Sequence, residues 1–380
     1  MNYRRFGKLD WESSILGFGA MRLPVIDNDQ SKINEPEAIA MIRRSIDRGV
    51  NYVDTAYPYH ATRSEPLVGR ALEDGYRQKV RLATKLPPWF VNTPADFDKY
   101  LNLQLERLQT DHIDFYLLHG MNKDFWPKFR DMDVLTWAEG AMADGRIGHL
   151  GFSFHDDLDV FKEIVDAFDW TFCQIQYNFM DVDYQAGTRG LRYAADKGLA
   201  VVVMEPLRGG LIVKEPPERA AQLWGSASRR RSLAEWALFW VWNHPEVTVA
   251  LSGMTAPIQV EENLDSADRF QPGDISAEDL ALIDQVRDVY RELSPIPCTN
   301  CQYCLPCPNG VSIPRCLELY NQAIMYGDPR QARFLYRSMP PDRQGDNCVA
   351  CGECQEHCPQ EIPIPDWLVK VHEYLGPRKK

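Results

Sequence analysis

Two runs of cysteine hold most of the metal chemistry this chain can offer. The first is Cys298, Cys301, Cys304 and Cys307 before Pro308; the second is Cys348, Cys351, Cys354 and Cys358 before Pro359. Three thiolates at every third position wrap one face of a cubane, and a fourth followed by proline commonly crosses to a partner cluster. The second run keeps the C-x2-C-x2-C-x3-C-P spacing, whereas the first is one residue short before its last cysteine. The spacing predicts two 4Fe-4S clusters, with Cys358 joining Cys298, Cys301 and Cys304, and Cys307 joining Cys348, Cys351 and Cys354. The shortened step leaves open which cluster Cys307 serves. Zinc prefers two C-x2-C pairs separated by a longer gap. Disulfides need an oxidising compartment, and no apolar signal core follows Met1. Cys173 and Cys316 lie outside the pattern and are expected to be buried free thiols.

A second set is polar: Asp54, Tyr59, Lys85 and His119. Taken singly, Asp54 suits a helix cap, Lys85 a solvated surface and His119 a satisfied core. What singles them out is the pattern of elements around them. Near-continuous apolar runs predict strands at 15–20, 51–55, 80–85, 113–119, 149–154, 172–177, 200–205 and 247–253, the signature of parallel strands buried on both faces. Helical patterns lie between them: from Asn34, with Pro36 and Glu37 in its first turn, to Gly49; from Thr93 to Leu108; and near 131–145, 157–168, 187–198, 229–243 and 257–266. Eight strand–helix units predict an α/β chain whose strands close into a (β/α)8 TIM barrel over residues 1–290. An open doubly wound sheet is the rival, but no G-x-G-x-x-G follows the first strand. One further helix near 276–293 and a Pro-rich exit at Ser294–Pro297 then lead to a small, mainly α-helical, ferredoxin-like domain over 291–380, with helical runs near 313–325 and 329–337. In such barrels catalytic groups stand at the carboxyl ends of strands. Asp54, Lys85 and His119 each end a predicted strand, and Tyr59 follows Asp54 by five residues; Tyr57 lacks that spacing.

At these positions the chain resembles the aldo/keto reductases, whose Asp, Tyr, Lys and His tetrad occurs in this order. The resemblance runs over residues 1 to about 270, including Gly17-Phe18-Gly19 and Gly253-Met254-Thr255 with Glu262-Asn263. With its cysteine tail the whole chain looks like the ferredoxin-type branch of that family. The resemblance implies an oxidoreductase that interconverts a carbonyl and an alcohol using NADP or NAD. Tyrosine has a pKa near 10 in water, and a neighbouring ammonium stabilises its phenolate. By resemblance Tyr59 is the general acid and base, Lys85 lowers its pKa, Asp54 keeps Lys85 charged and His119 orients the substrate oxygen. It further implies that Ser153 and Gln174 bind the carboxamide, Met204 stacks on the nicotinamide, and Leu207, Arg208 and Gly209 line the pyrophosphate. Gly19, Gly253, Thr255, Gln259, Glu262 and Asn263 complete the nucleotide site. Gly253 and Gln259 stand where many relatives carry lysine and arginine for a 2′-phosphate, so both nucleotides stay open. Trp89 and Trp126 are expected to wall a substrate pocket for a small carbonyl or alcohol compound.

Bulk composition agrees with a folded chain large enough for a barrel and an appendage: 380 residues, 44% hydrophobic. A formal charge of −12 argues against a nucleic-acid partner, and no apolar run approaches a membrane span, so a cytoplasmic location is expected. The short basic run Arg229–Arg231 reads as a solvated helix start. Two further classes remain: an electron-transfer protein coupling the clusters to a redox partner, and a non-catalytic, nucleotide-sensing regulatory barrel.

Overall fold

A computed structural model describes residues 1–27, 29–325 and 327–377; the last three residues of the expected C-terminal domain lie outside the described residues. The first two strands, β1 (Tyr3–Arg5) and β2 (Glu12–Ser14), pair as an antiparallel hairpin. The barrel follows, built from β3 (Leu16–Gly19), β4 (Tyr52–Asp54), β5 (Arg81–Leu86), β6 (Ile113–Met121), β7 (Ile147–Phe154), β8 (Phe172–Gln176), β9 (Ala200–Met204) and β10 (Val247–Ser252). These strands close in the order β10-β3-β4-β5-β6-β7-β8-β9, and every neighbouring pair is parallel. Each predicted strand is therefore present.

The hairpin was not legible beforehand, since Tyr3-Arg4-Arg5 carries little apolar signal. Its turn sends Phe6 into a cluster with Tyr52, Phe115 and Phe172, the Phe6 and Phe115 rings 4.5 Å apart. Those partners lie at or near the starts of their strands, so this aromatic plug fills the amino end of the barrel and leaves the carboxyl end for chemistry.

Helices flank the strands largely where apolar periodicity places them. The expected helix over 131–145 is present as Val134–Ala143; an unforeseen helix, Phe125–Asp131, precedes it, and Asp133 takes a left-handed conformation (φ 60°) between the two. Gly69, in the helix Ser64–Ala71, is required by close approach: a Cβ there would stand 2.6 Å from the Arg107 carbonyl of the helix Ala95–Leu108.

The chain divides into two compact units, Met1–Pro206 with Ala234–Ile275, and Leu207–Leu233 with Ser276–Lys380. The division is not a single cut near 290. The segment after β9 and the helix Ala277–Leu293 both group with the cysteine-bearing part, where the helix Glu218–Gly225 meets Ala277–Leu293 through an Arg219–Glu292 ion pair at 2.7 Å. Arg231 corrects an expectation: its side chain is buried and lies 3.6 Å from buried Asp279, so the basic run is not wholly solvated. The second unit is mainly helical. Its core joins Ile313, Leu317 and Leu319 to Tyr336, Ile364, Leu368 and Val371, from the helices Ile313–Met325, Pro329–Ser338 and Ile364–Leu375. No described helix is long and apolar enough to cross a membrane.

Candidate active site

Parallel pairing places Asp54 opposite Ala83 on one side and Gly19 on the other, at the carboxyl end of β4. Lys85, two residues beyond Ala83 on β5, turns inward to the same end. Its ammonium meets both Asp54 oxygens, at 2.7 and 2.8 Å, and the Thr55 carbonyl at 2.7 Å. Both residues are almost wholly buried. Burial pushes the Asp54 carboxyl up and the Lys85 ammonium down, and each charge opposes the shift of the other. A lone charge here would be costly to desolvate, and the pair with its carbonyl partner offsets this.

Tyr59 is buried beside this pair, with the Lys85 ammonium 5.1 Å from its ring centroid. His119, near the end of β6, sets its ring edge-on to Tyr59 at 6.0 Å and to Trp89 at 5.0 Å. Burial, then Lys85, then His155 hold His119 well below the usual imidazole range, so it is neutral at pH 7. The four residues expected to act together are therefore neighbours. Tyr57 points elsewhere, its ring under the Arg107 guanidinium at 4.6 Å and against Tyr100 at 5.2 Å.

Tyr59 is followed by three residues of positive φ: His60 (52°), Ala61 (49°) and Thr62 (69°). His60 pins this left-handed turn. Its Nε2 accepts the Leu23 amide at 3.1 Å and its Nδ1 lies 3.0 Å from the Gln30 carbonyl, a pattern that requires the proton on Nδ1. A role for His60 was not readable from sequence, because its partners lie in a loop thirty or more residues away.

Among the residues expected at the nucleotide, Ser153 accepts the Gly120 amide at 2.8 Å. Gln174 faces Met204, its amide nitrogen 3.8 Å from the sulfur, and its carbonyl oxygen is buried without a hydrogen-bond partner in the described residues. An orphaned buried acceptor is unfavourable, and a carboxamide N–H2 is the kind of donor that satisfies it. Gly253 lies beside Arg22, whose guanidinium bonds Glu205 at 3.1 and 3.2 Å. The second Glu205 oxygen is also a buried orphan, and Glu205 has a φ of 59°. No role had been read for Arg22 or Glu205. Gln259 accepts the Thr255 amide at 2.7 Å, and Asn263 donates to Ser252 at 3.0 Å, so both tie the helix Pro257–Arg269, which also carries Glu262, to β10 or the turn after it. Leu207, Arg208 and Gly209 belong to the second unit, where buried Arg208 acts electrostatically on Cys298.

Trp89 and Phe125 meet edge-on at 5.7 Å. Trp126, the other residue expected in the pocket wall, packs on Trp170 at 6.2 Å and donates to Glu163 at 3.1 Å. Helical geometry puts adjacent residues about 100° apart, so Phe125 and Trp126 cannot share a face.

In the second unit six of the eight clustered cysteines pack against the helical core; Cys351 is exposed. The Cys304 thiol is pushed up by burial first, then by Cys301, Cys298, Cys358 and Cys354. Cys354 is pushed up to about 11 by burial, then by Cys348, Cys351 and Cys307. Cys358 thus lies near Cys298 and Cys304 of the first run, Cys354 is also near Cys304, and Cys307 lies near Cys354 of the second. No group of three or more His, Cys, Asp or Glu among the described residues is arranged around a single ion. A cubane asks for a different cage, four sulfurs each capping its own iron, and the all-sulfur donor set fits that group. Cys173 and Cys316 are buried free thiols, as expected.

Comparison with known proteins agrees with both halves. The sequence pattern of the Aldo/keto reductase family matches residues 15–288, and that of a 4Fe-4S dicluster domain matches 297–362. L-galactose dehydrogenase of Arabidopsis thaliana is 23% identical over 77% of this chain and 96% of its own length. The methylglyoxal reductase YeaE of Escherichia coli is 28% identical over 65% of this chain and 83% of its own. A solved aldo-keto reductase from Bacillus halodurans, in its holo form, superposes with a TM-score of 0.63 at 28% identity, covering 75% of this chain and 96% of that one.

Proposed function

We propose that this chain, which belongs to the aldo/keto reductase family and carries a 4Fe-4S dicluster domain C-terminal to its barrel in sequence, interconverts a small carbonyl compound and its alcohol with Tyr59 as the proton donor and acceptor. The observation that carries the reading is the buried Lys85–Asp54 pair beside Tyr59 and neutral His119 at the carboxyl end of the barrel. NADP or NAD supplies or accepts the hydride at the carbonyl carbon when bound. In reduction, Tyr59 gives its hydroxyl proton to the carbonyl oxygen. Lys85 stabilises the phenolate left behind, and Asp54 keeps Lys85 an ammonium. His119 is held neutral and so acts by orienting the oxygen toward Tyr59. Oxidation reverses these roles.

Gln174, with its orphaned carbonyl oxygen, is suited to receive the nicotinamide carboxamide, with Ser153 and Met204 as its neighbours in the site. Gly19, Gly253, Thr255, Gln259, Glu262 and Asn263 hold the rest of the nucleotide. The relatives named for methylglyoxal reduction and L-galactose oxidation make small aldehydes, ketones and sugars the first compounds to test. The test is nicotinamide-coupled turnover of such a panel by anaerobically purified protein. Turnover should be lost in Tyr59→Phe with nucleotide binding kept; loss of nucleotide binding in that variant would mean the site is misplaced.

The cysteines hold two cubanes, Cys298, Cys301, Cys304 and Cys358 around one, and Cys348, Cys351, Cys354 and Cys307 around the other. The neighbours of Cys304 and Cys354 support this crossed arrangement. Exposed Cys351, beside exposed Val349, favours a second use of the clusters, one-electron exchange with a redox protein. Anaerobic NADPH should then generate a reduced-cluster paramagnetic signal, and silence at saturating nucleotide excludes internal transfer from nicotinamide to cluster.

A further inference from the structure

Asp54 is not the only carboxylate buried with Lys85. Glu65, in the first turn of the helix Ser64–Ala71, is also fully buried. It accepts the Thr84 hydroxyl at 2.7 Å and the Gln104 amide at 2.6 Å, and its other oxygen lies 3.4 Å from Arg107. The Gln104 amide nitrogen also reaches the Lys85 carbonyl at 3.0 Å, while its carbonyl oxygen accepts the Tyr116 hydroxyl at 2.7 Å. These bonds lock Thr84 and Lys85 of β5 to two helices and to β6. A structural purpose alone would be served as well by apolar side chains of similar volume. Yet the site keeps an acid, and three donors with a helix amino end oppose the burial that pushes its carboxyl up.

We propose that Glu65, held in place by Gln104, is a positioning residue of the proton relay: its negative charge joins that of Asp54 in keeping Lys85 an ammonium, and Gln104 fixes the Lys85 backbone. The inference rests on the Tyr59–Lys85 reading and extends it. The groups facing this relay are Asp54 from β4, Tyr59 from the segment after it, Glu65 from its helix and His119 from β6. Behind them stand Arg107, which pairs with Glu65, and His155, which acts on His119. Removing a negative charge lowers the pKa of every nearby group that holds a proton. Reduction needs both Tyr59 and Lys85 protonated, so the first proton lost from the pair ends turnover.

In the full-length holoprotein, Glu65→Gln should therefore move the alkaline limb of kcat/KM for carbonyl reduction down by roughly 0.5–1 pH unit, with nucleotide affinity unchanged. Arg107 is partly exposed, so Arg107→Gln is the variant that keeps the test alive if Glu65→Gln folds poorly; it should move the limb the opposite way. A fall in kcat with an unmoved limb in the folded variants would assign Glu65 to packing alone and overturn the proposal. A second measurement needs no turnover. Nuclear magnetic resonance of labelled lysine in Tyr59→Phe, with and without Glu65→Gln, should show Lys85 losing its proton at lower pH in the double variant. If the wild type reduces no carbonyl but this shift appears, the proposed activity fails while the charge coupling stands; an absent shift refutes the coupling whatever the activity.

Discussion

The barrel mouth and the cysteine-bearing unit both bury groups that prefer water, and they handle this in different ways. In the barrel three buried carboxylates have protein counterparts: Asp54 meets Lys85, Glu65 meets Arg107, and Glu205 meets Arg22. In the second unit, burial pushes the thiols of Cys298, Cys304, Cys354 and Cys358 up, and for the first three neighbouring cysteines push further; Arg208 opposes this at Cys298. One region is organised by the protein's own side chains. The other is arranged so that its thiolates become favourable once iron supplies positive charge. A preorganised relay and a metal-completed fold should fail differently, and that difference can be tested.

The largest effect should come from splitting the pair at the mouth. Tyr59→Phe removes the proposed proton donor and should lower kcat by about 10²–10⁴ without altering iron content or nucleotide binding. Lys85→Met leaves Asp54 buried without its cation and should destabilise the protein by about 3–5 kcal/mol, read by urea unfolding, besides abolishing turnover. Cys354→Ser acts on the other region: it should lower bound iron by roughly half, one cluster of two, and reduce helical signal. Iron unchanged in that variant would count against Cys354 as a ligand.

Acid should separate the regions further. His119 and His155 titrate below the unfolded imidazole value of about 6.5, His155 being lowered to about 4 by desolvation. Between the folded and unfolded values the unfolded chain binds more protons, so stability must fall as pH drops below about 6.5. His119→Gln should make the urea midpoint less sensitive to acid; an unchanged slope would mean that carboxylates dominate. The smallest effect belongs to the left-handed turn behind Tyr59. Ala61 sits at φ 49°, and Ala61→Gly should relieve about 1 kcal/mol of strain, raising the melting temperature slightly while leaving kcat near its original value.

Much of this architecture was legible in the chain. Parallel strands buried on both faces write themselves as apolar runs, and the three strand-ending residues of the tetrad are placed once the runs are found. The two cysteine motifs are local, so their type needs no tertiary information. Other features were hidden for identifiable reasons. The hairpin before the barrel is polar along β1 and declares itself only through Phe6 in the plug. Arg231 looked like a surface cation because its partner Asp279 lies 48 residues further on. Phe125 and Trp126 are equally aromatic in sequence, and only the helix phase decides which one meets Trp89.

Sequence alone thus determined the number of barrel strands, the candidate residues at their carboxyl ends and the sulfur character of the cysteine motifs, because periodicity and spacing are local properties. Tertiary structure decided how closely Tyr59 and His119 approach Lys85, which cysteines crowd together across a gap of some fifty residues, and that Glu65 is buried against Thr84 and Gln104. Those outcomes depend on close packing of elements distant in the chain, where burial turns a modest charge interaction into a strong one.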